Sequence, residues 1–237
     1  MTRLRVQEQF VSLQGEGILA GTPSSFVRVS GCNLRCVWCD SPNTSWTPRG
    51  ESVDLDALME FCAAGPRHVV LTGGEPLLFA PVAELSRRLA DAGHHVTIET
   101  AGTVMTEGVH ANLMSVSPKL AHSTPQARDP VWAVRHEEQR LRPEVVRRLM
   151  DFEWQLKFVV RGYDATLLEI DVAEIEAMID RLGVEPRDRN RVLLMPECID
   201  PARLSSDYAT IAGVCTRTGF RLGARLHIAI FGHTPGT

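Results

Sequence analysis

Short apolar runs rich in Val, Ile and Leu recur along the chain, and most are followed by a stretch whose apolar residues repeat at helical spacing. The runs fall at 25–29, 68–71, 96–99, 113–117, 155–160, 192–195 and 222–230, and the helical patterns at 54–63, 81–92, 143–150, 172–182 and 205–218. A strand joined to the next through a helix makes a crossover, and such crossovers are right-handed and build parallel sheets. The alternation therefore predicts an α/β chain of βαβ units. Parallel sheets and barrels place their binding sites at the carboxyl ends of the strands, so the chemistry is expected in the loops that follow the runs.

Two connections break the pattern. Residues 41–51 are rich in Ser, Thr, Pro and Gly and predict a long loop. Residues 120–142 are polar, contain Pro125, Pro130 and Trp132, and predict a second loop of the length that serves as a lid or binding loop. With no internal repeat and no linker, residues 1–237 are expected to form a single domain. A formal net charge of −4 gives no overall basic field, which argues against a nucleic-acid partner. No apolar stretch reaches the roughly 18 residues of a membrane span, and the opening MTRLRVQEQF lacks the apolar run of a secretory signal. A cytoplasmic protein without a membrane partner is expected.

Six cysteines in a reducing compartment rarely mean disulfides. Three of them, Cys32, Cys36 and Cys39, fall within eight positions in Gly31-Cys32-Asn33-Leu34-Arg35-Cys36-Val37-Trp38-Cys39-Asp40, directly after the run 25–29. Thiolates are the usual ligands of iron–sulfur clusters, and a four-iron cube takes one per iron. Three on a short loop leave the fourth iron open to a small molecule. Structural zinc, the first alternative, needs four ligands; the nearest histidine in sequence is His68, and Cys198 would have to come from afar. A redox dithiol formed by Cys36 and Cys39 is the second. Cys62 and Cys215 lie in apolar helical patterns and read as buried structural thiols.

In its C-x3-C-x-aromatic-C spacing, with Trp38 in the aromatic position, the loop resembles the radical SAM superfamily. The resemblance implies a partial, open TIM-like β/α barrel with abbreviated helices. It implies a 4Fe–4S cluster on Cys32, Cys36 and Cys39, with S-adenosylmethionine (SAM) chelating the open iron and cleaved by one electron to a 5′-deoxyadenosyl radical. Trp38 would stack near the adenine. Gly73, Gly74 and Glu75 in VLTGGEP follow the run 68–71; the glycines permit close backbone approach, and Glu75 would meet the SAM ammonium. Ser117 and Lys119 would face the SAM carboxylate and ribose, and the backbone at Met195 the adenine.

Further strings narrow the resemblance: Ser12-Leu13-Gln14-Gly15-Glu16-Gly17, Phe26-Val27-Arg28, Cys39-Asp40-Ser41, Ile98-Glu99-Thr100-Ala101-Gly102-Thr103, SPKLAHSTP from Ser117, and Arg225-Leu226-His227 near the end. In that order they resemble the 7-carboxy-7-deazaguanine synthases of queuosine-type 7-deazapurine biosynthesis. These convert 6-carboxy-5,6,7,8-tetrahydropterin to 7-carboxy-7-deazaguanine with loss of ammonia, and also use Mg²⁺. The resemblance implies a pterin site of Leu13, Gln14, Gly15, Glu16, Arg28, Thr72, His227 and Thr237, with Ser41, in place of the usual threonine, on Mg²⁺. A carboxylate such as Glu16 suits the amidine-like edge of a pterin, and the Arg28 fork suits a substrate carboxylate. A reductant such as flavodoxin or ferredoxin and a homodimer are implied in the same way. Ala101 and Met195 depart from the family's asparagine and glutamine and remove polar side chains near SAM. A glycyl-radical activating enzyme is the competing function; the QGEG and RLH strings argue against it.

Overall fold

The computed structural model describes residues 2–237. Its strands form one nine-stranded sheet in the order β3-β1-β2-β4-β5-β6-β7-β8-β9. They are β1 (Arg3–Leu13), β2 (Pro23–Val29), β3 (Glu51–Asp54), β4 (His68–Gly73), β5 (His95–Thr100), β6 (Leu113–Val116), β7 (Trp154–Val160), β8 (Val192–Pro196) and β9 (Arg221–Leu222). All neighbours from β2 to β9 pair in parallel, while β1 is antiparallel to both β2 and β3. The sheet does not close, so the architecture is a partial, open β/α barrel. Helices α1 (Leu55–Ala63), α2 (Pro81–Asp91), α3 (Pro130–Gln139), α4 (Pro143–Leu149), α5 (Ala165–Leu182), α6 (Pro201–Thr218) and α7 (Leu226–Phe231) complete it.

Period-two alternation sorts each strand between two environments. On β7, Trp154, Leu156, Phe158 and Val160 join the core, whereas Lys157 and Val159 face a central cavity. The same rule sends Val27 and Val29 of β2, Val69 and Leu71 of β4, and Val96 and Ile98 of β5 into the core, and Arg28, Thr72 and Glu99 to the cavity. Helix α5 closes the outer layer with Leu168, Val172, Ile175, Ile179 and Leu182 buried. It starts at the Asp164 cap, whose carboxylate accepts from Thr166 N and Leu167 N, and stops at Gly183, whose φ of 77° suits a left-handed terminus.

Four expectations need correction. The apolar run 222–230 is not one strand: β9 is two residues long, and Leu226–Phe231 is helix α7. A continuous apolar run does not by itself distinguish the two. The predicted loop 120–142 contains α3, which opens on an Asp129 cap and Pro130 and buries only Ala133 and His136, so its apolar stripe is weak. The helix placed at 172–182 begins seven residues earlier, at Ala165. Strands β1 and β3 add an antiparallel edge that the βαβ pattern did not include.

Candidate active site

The carboxyl ends of the parallel strands converge on one cavity of about 420 Å³. Cys32, Cys36 and Cys39 line it together with Trp38, Gly73, Gly74, Ser117, Lys119 and Met195, and so do Leu13, Gln14, Gly15, Glu16, Arg28, Ser41, Thr72, His227 and Thr237. Residues spread over the whole sequence thus share one space.

The cysteine loop is docked by its backbone. Glu75 N donates to Gly31 O at 2.9 Å and Gly31 N to Thr44 O at 2.9 Å. A Cβ on Gly74 would stand 2.1 Å from Gly31 O, so this contact requires glycine. Trp46 Nε1 donates to Cys36 O at 3.0 Å, Val37 N to Ser123 O at 2.8 Å, and Arg35 N to His136 Nδ1 at 3.1 Å. Both imidazole nitrogens of the buried His136 are engaged, since Nε2 lies 2.9 Å from Ser123 Oγ. All three loop cysteines are free thiols, and burial pushes each up, Cys32 to about 12. Such thiols keep their protons until a metal displaces them. Among the described residues no three His, Cys, Asp or Glu side chains converge on a single-ion site; a four-iron cube takes one thiolate per corner and does not require that. Three neighbouring free thiols on one cavity wall fit such a cluster.

Around the loop, Trp38 Nε1 donates to His122 Nδ1 at 3.1 Å, and His122 Nε2 lies 3.1 Å from Val159 O. His122 Nδ1 also lies 3.2 Å from Glu197 Oε2, so an indole, a carbonyl and a carboxylate together hold the ring. Lys119 Nζ donates to Ser117 Oγ at 2.9 Å and stands 5.5 Å from the Trp38 ring centroid. Glu75 differs from expectation. Its carboxyl is fully buried, lies off the cavity wall, and accepts from Leu77 N, Thr100 Oγ1 and Ala101 N. It therefore ties the turn after β4 to the end of β5. Burial pushes this carboxyl up to about 7 against those hydrogen bonds.

A charged network forms the opposite wall. Lys157 Nζ lies 2.5 Å from Glu16 Oε2 and 3.5 Å from Glu99 Oε1. Thr72 Oγ1 donates to Glu99 Oε2 at 2.8 Å, and Gln14 Nε2 to Glu99 Oε1 at 3.3 Å. Arg225 Nη2 donates to Asp40 Oδ2 at 2.5 Å; its Nε has no hydrogen-bond partner among the described residues and lies 3.4 Å from Glu16 Oε1. Burial alone would raise the Glu16 carboxyl, but the Lys157 ammonium, and then Arg225, outweigh it and hold the group well below the usual carboxylate range. Glu16 and Glu99 hold Lys157 well above its ordinary value despite burial. Arg28 pairs with Glu8 at 2.7 Å, and its Nη1 donates to Ser41 Oγ at 3.4 Å. His227, on α7, packs on Gly15, where an added Cβ would lie 2.0 Å from its Nδ1; burial lowers its basicity.

Of the residues singled out from sequence, only Glu75 is off the cavity wall. Sequence reasoning missed Lys157, and it quoted Glu99 and Asp40 without giving them a place in the site. Lys157 and Glu99 lie within recognised strand runs, on the face opposite their core neighbours, so alternation was the signal that could have found them. Arg225 gave no such signal, since its position depends on α7.

A family model of the radical SAM superfamily matches residues 26–130. The chain is 43% identical to a 7-carboxy-7-deazaguanine synthase of Halobacterium salinarum, over 99% of this chain and 93% of that protein. It is 41% identical to the enzyme of the same name from Rhodopirellula baltica, over 99% and 89%. Among solved structures, QueE from Escherichia coli superposes with a TM-score of 0.67 at 22% identity, covering 93% of each chain.

Proposed function

The chain belongs to the 7-carboxy-7-deazaguanine synthase family of the radical SAM superfamily, and from that premise we infer that it contracts the ring of 6-carboxy-5,6,7,8-tetrahydropterin to 7-carboxy-7-deazaguanine with release of ammonia. It is a radical SAM lyase. The observation that carries the reading is that the three free thiols and the polar pterin set share one cavity.

When bound, the cluster and SAM supply a carbon radical able to take hydrogen from an unactivated position. Cys32, Cys36 and Cys39 would hold the cluster. Trp38, oriented through His122, would present its ring to the adenine. Gly73, Gly74, Ser117, Lys119 and the Met195 backbone would shape the rest of the SAM site. Glu75 would act at one remove, by holding the backbone at Ala101. Glu16, kept ionised by Lys157, accepts hydrogen bonds from the donor edge of the pterin, and Arg28 pairs with its carboxylate. Gln14, Thr72 and His227 complete the polar shell, with Leu13, Gly15 and Thr237 at its rim. Ser41 Oγ, 3.3 Å from Asp40 Oδ1, offers the oxygen donors that Mg²⁺ favours.

Residues 1–237 form one functional domain in this reading, acting as a cytoplasmic homodimer. No helix of the described residues is long and apolar enough to cross a membrane. The test is anaerobic: reconstituted, dithionite-reduced enzyme with SAM, Mg²⁺ and carboxy-tetrahydropterin should yield the deazaguanine by mass, with ammonia. SAM cleavage by an intact cluster without that product would overturn the substrate and favour a glycyl-radical activating role.

A further inference from the structure

Alternate residues of the cysteine loop face opposite ways. Cys32, Leu34, Cys36 and Trp38 line the cavity; Arg35 and Val37 do not. On that outer side two tryptophans carry arginines on their faces. Arg128 lies 3.7 Å from the Trp46 ring centroid, and Trp46 is itself bonded to Cys36 O. Arg35 lies 4.1 Å and Arg135 5.5 Å from the Trp132 centroid. Among the described residues none of the three has a carboxylate within ion-pair distance, whereas Arg140, just beyond them, pairs with Glu137 and Glu174. Asp129 caps α3 through Trp132 N and favours the charged form of Arg35, whose Nη1 also donates to Cys32 O at 2.9 Å and Leu34 O at 2.7 Å. Between the arginines stand exposed valines: Val37 at 44%, Val131 at 67% and Val134 at 62%.

Cations outside any ion pair, on rigid aromatic supports and interleaved with exposed apolar side chains, have the make-up of a protein-docking face. We propose that this face, built from the outer side of the cysteine loop and the exposed stripe of α3, docks an acidic one-electron carrier protein that reduces the cluster. It rests on the cluster reading above. Two observations fix the occupant. The face touches the Cys36 corner through Trp46, so a carrier seated there meets the loop from the side away from SAM and substrate. Its three cations outside ion pairs, Arg35, Arg128 and Arg135, outnumber the one exposed carboxylate on the same stripe, Glu138, in a chain of net charge −4, so attraction to an acidic partner is local to this face.

The test measures 5′-deoxyadenosine release from SAM by the reconstituted holoenzyme, driven either by flavodoxin kept reduced by its reductase or by dithionite; no pterin is needed. The double variant Arg128→Glu/Arg135→Glu should lose about tenfold or more of the flavodoxin-driven rate at low salt and most of its salt dependence. The dithionite-driven rate should be unchanged. Arg128→Lys/Arg135→Lys should keep most of both, and Arg221→Glu on β9, at the far edge of the sheet, should alter neither. A flavodoxin-driven rate and salt dependence equal to wild type would overturn the proposal. So would a parallel fall with dithionite, which would mean that the arginines only brace the loop. A changed oligomeric state on charge reversal would assign the face to a second copy and overturn it as well. Wild-type enzyme that cleaves SAM with neither reductant would instead sink the cluster reading, and this proposal with it.

Discussion

Lys157 is 4% exposed and sits between the Glu16 and Glu99 carboxylates. Removing one partner of a buried ion pair leaves the other charge uncompensated, which costs about 3–5 kcal/mol. Lys157→Met is therefore expected to lower unfolding stability by an amount of that order, read by chemical denaturation. It should also raise the KM for the pterin more than the KM for SAM, because Glu16 loses the charge that keeps it an acceptor. Two cysteines supply a contrast of the same kind. Cys36→Ala should abolish SAM cleavage, whereas Cys62→Ala, buried in α1 away from the cavity, should keep it within a few-fold, about the range of a tolerated core change. The measurement is 5′-deoxyadenosine release by each purified, reconstituted variant.

The turn after β4 and the start of β2–β5 govern two further outcomes. Gly74→Ala drives a Cβ into Gly31 O, where a backbone must move rather than a side chain. It should cost about 1–3 kcal/mol and weaken SAM binding, measured by calorimetry on the loaded enzyme. At the opposite end of the strands, His68 lies between Ser24 Oγ at 2.6 Å and Thr97 Oγ1 at 2.8 Å. Burial, with His95 nearby, lowers its pKa from 6.5 to about 4. The unfolded chain then takes a proton below pH 6.5 that the folded chain resists to about 4, so stability present above that window is lost as pH falls through it. Urea midpoints should fall across this range, and His68→Gln should flatten the slope while lowering stability at neutral pH. His136, lowered in the same way and also to about 4, keeps the slope from vanishing. Elements such as β4 to β8 were legible because short segments rich in Val, Ile and Leu, bounded by Gly, Pro or polar turns, alternate with helical patterns. Helix α7 was not, because its apolar run reads equally as strand. Helix α3 was not, because it buries one alanine and one histidine.

At the scale of the molecule, the open barrel collects residues from position 7 to position 237 around one cavity. Much of that set was legible because the cysteine loop and the motifs at Gly73, Ser117 and Met195 lie at the ends of parallel strands, and parallel strand ends meet. The compensating charges behind it were not, since Lys157, Arg225 and Asp40 acquire their partners only through long-range packing. Radical generation and pterin binding share this cavity in the proposed reaction, and label transfer tests that most directly. Reduced holoenzyme is given SAM and carboxy-tetrahydropterin deuterated at its non-exchangeable ring positions, and 5′-deoxyadenosine is weighed by mass spectrometry. Deuterium in the 5′-deoxyadenosine, together with the deazaguanine product, is the predicted result; unlabelled 5′-deoxyadenosine with the pterin left intact would contradict it.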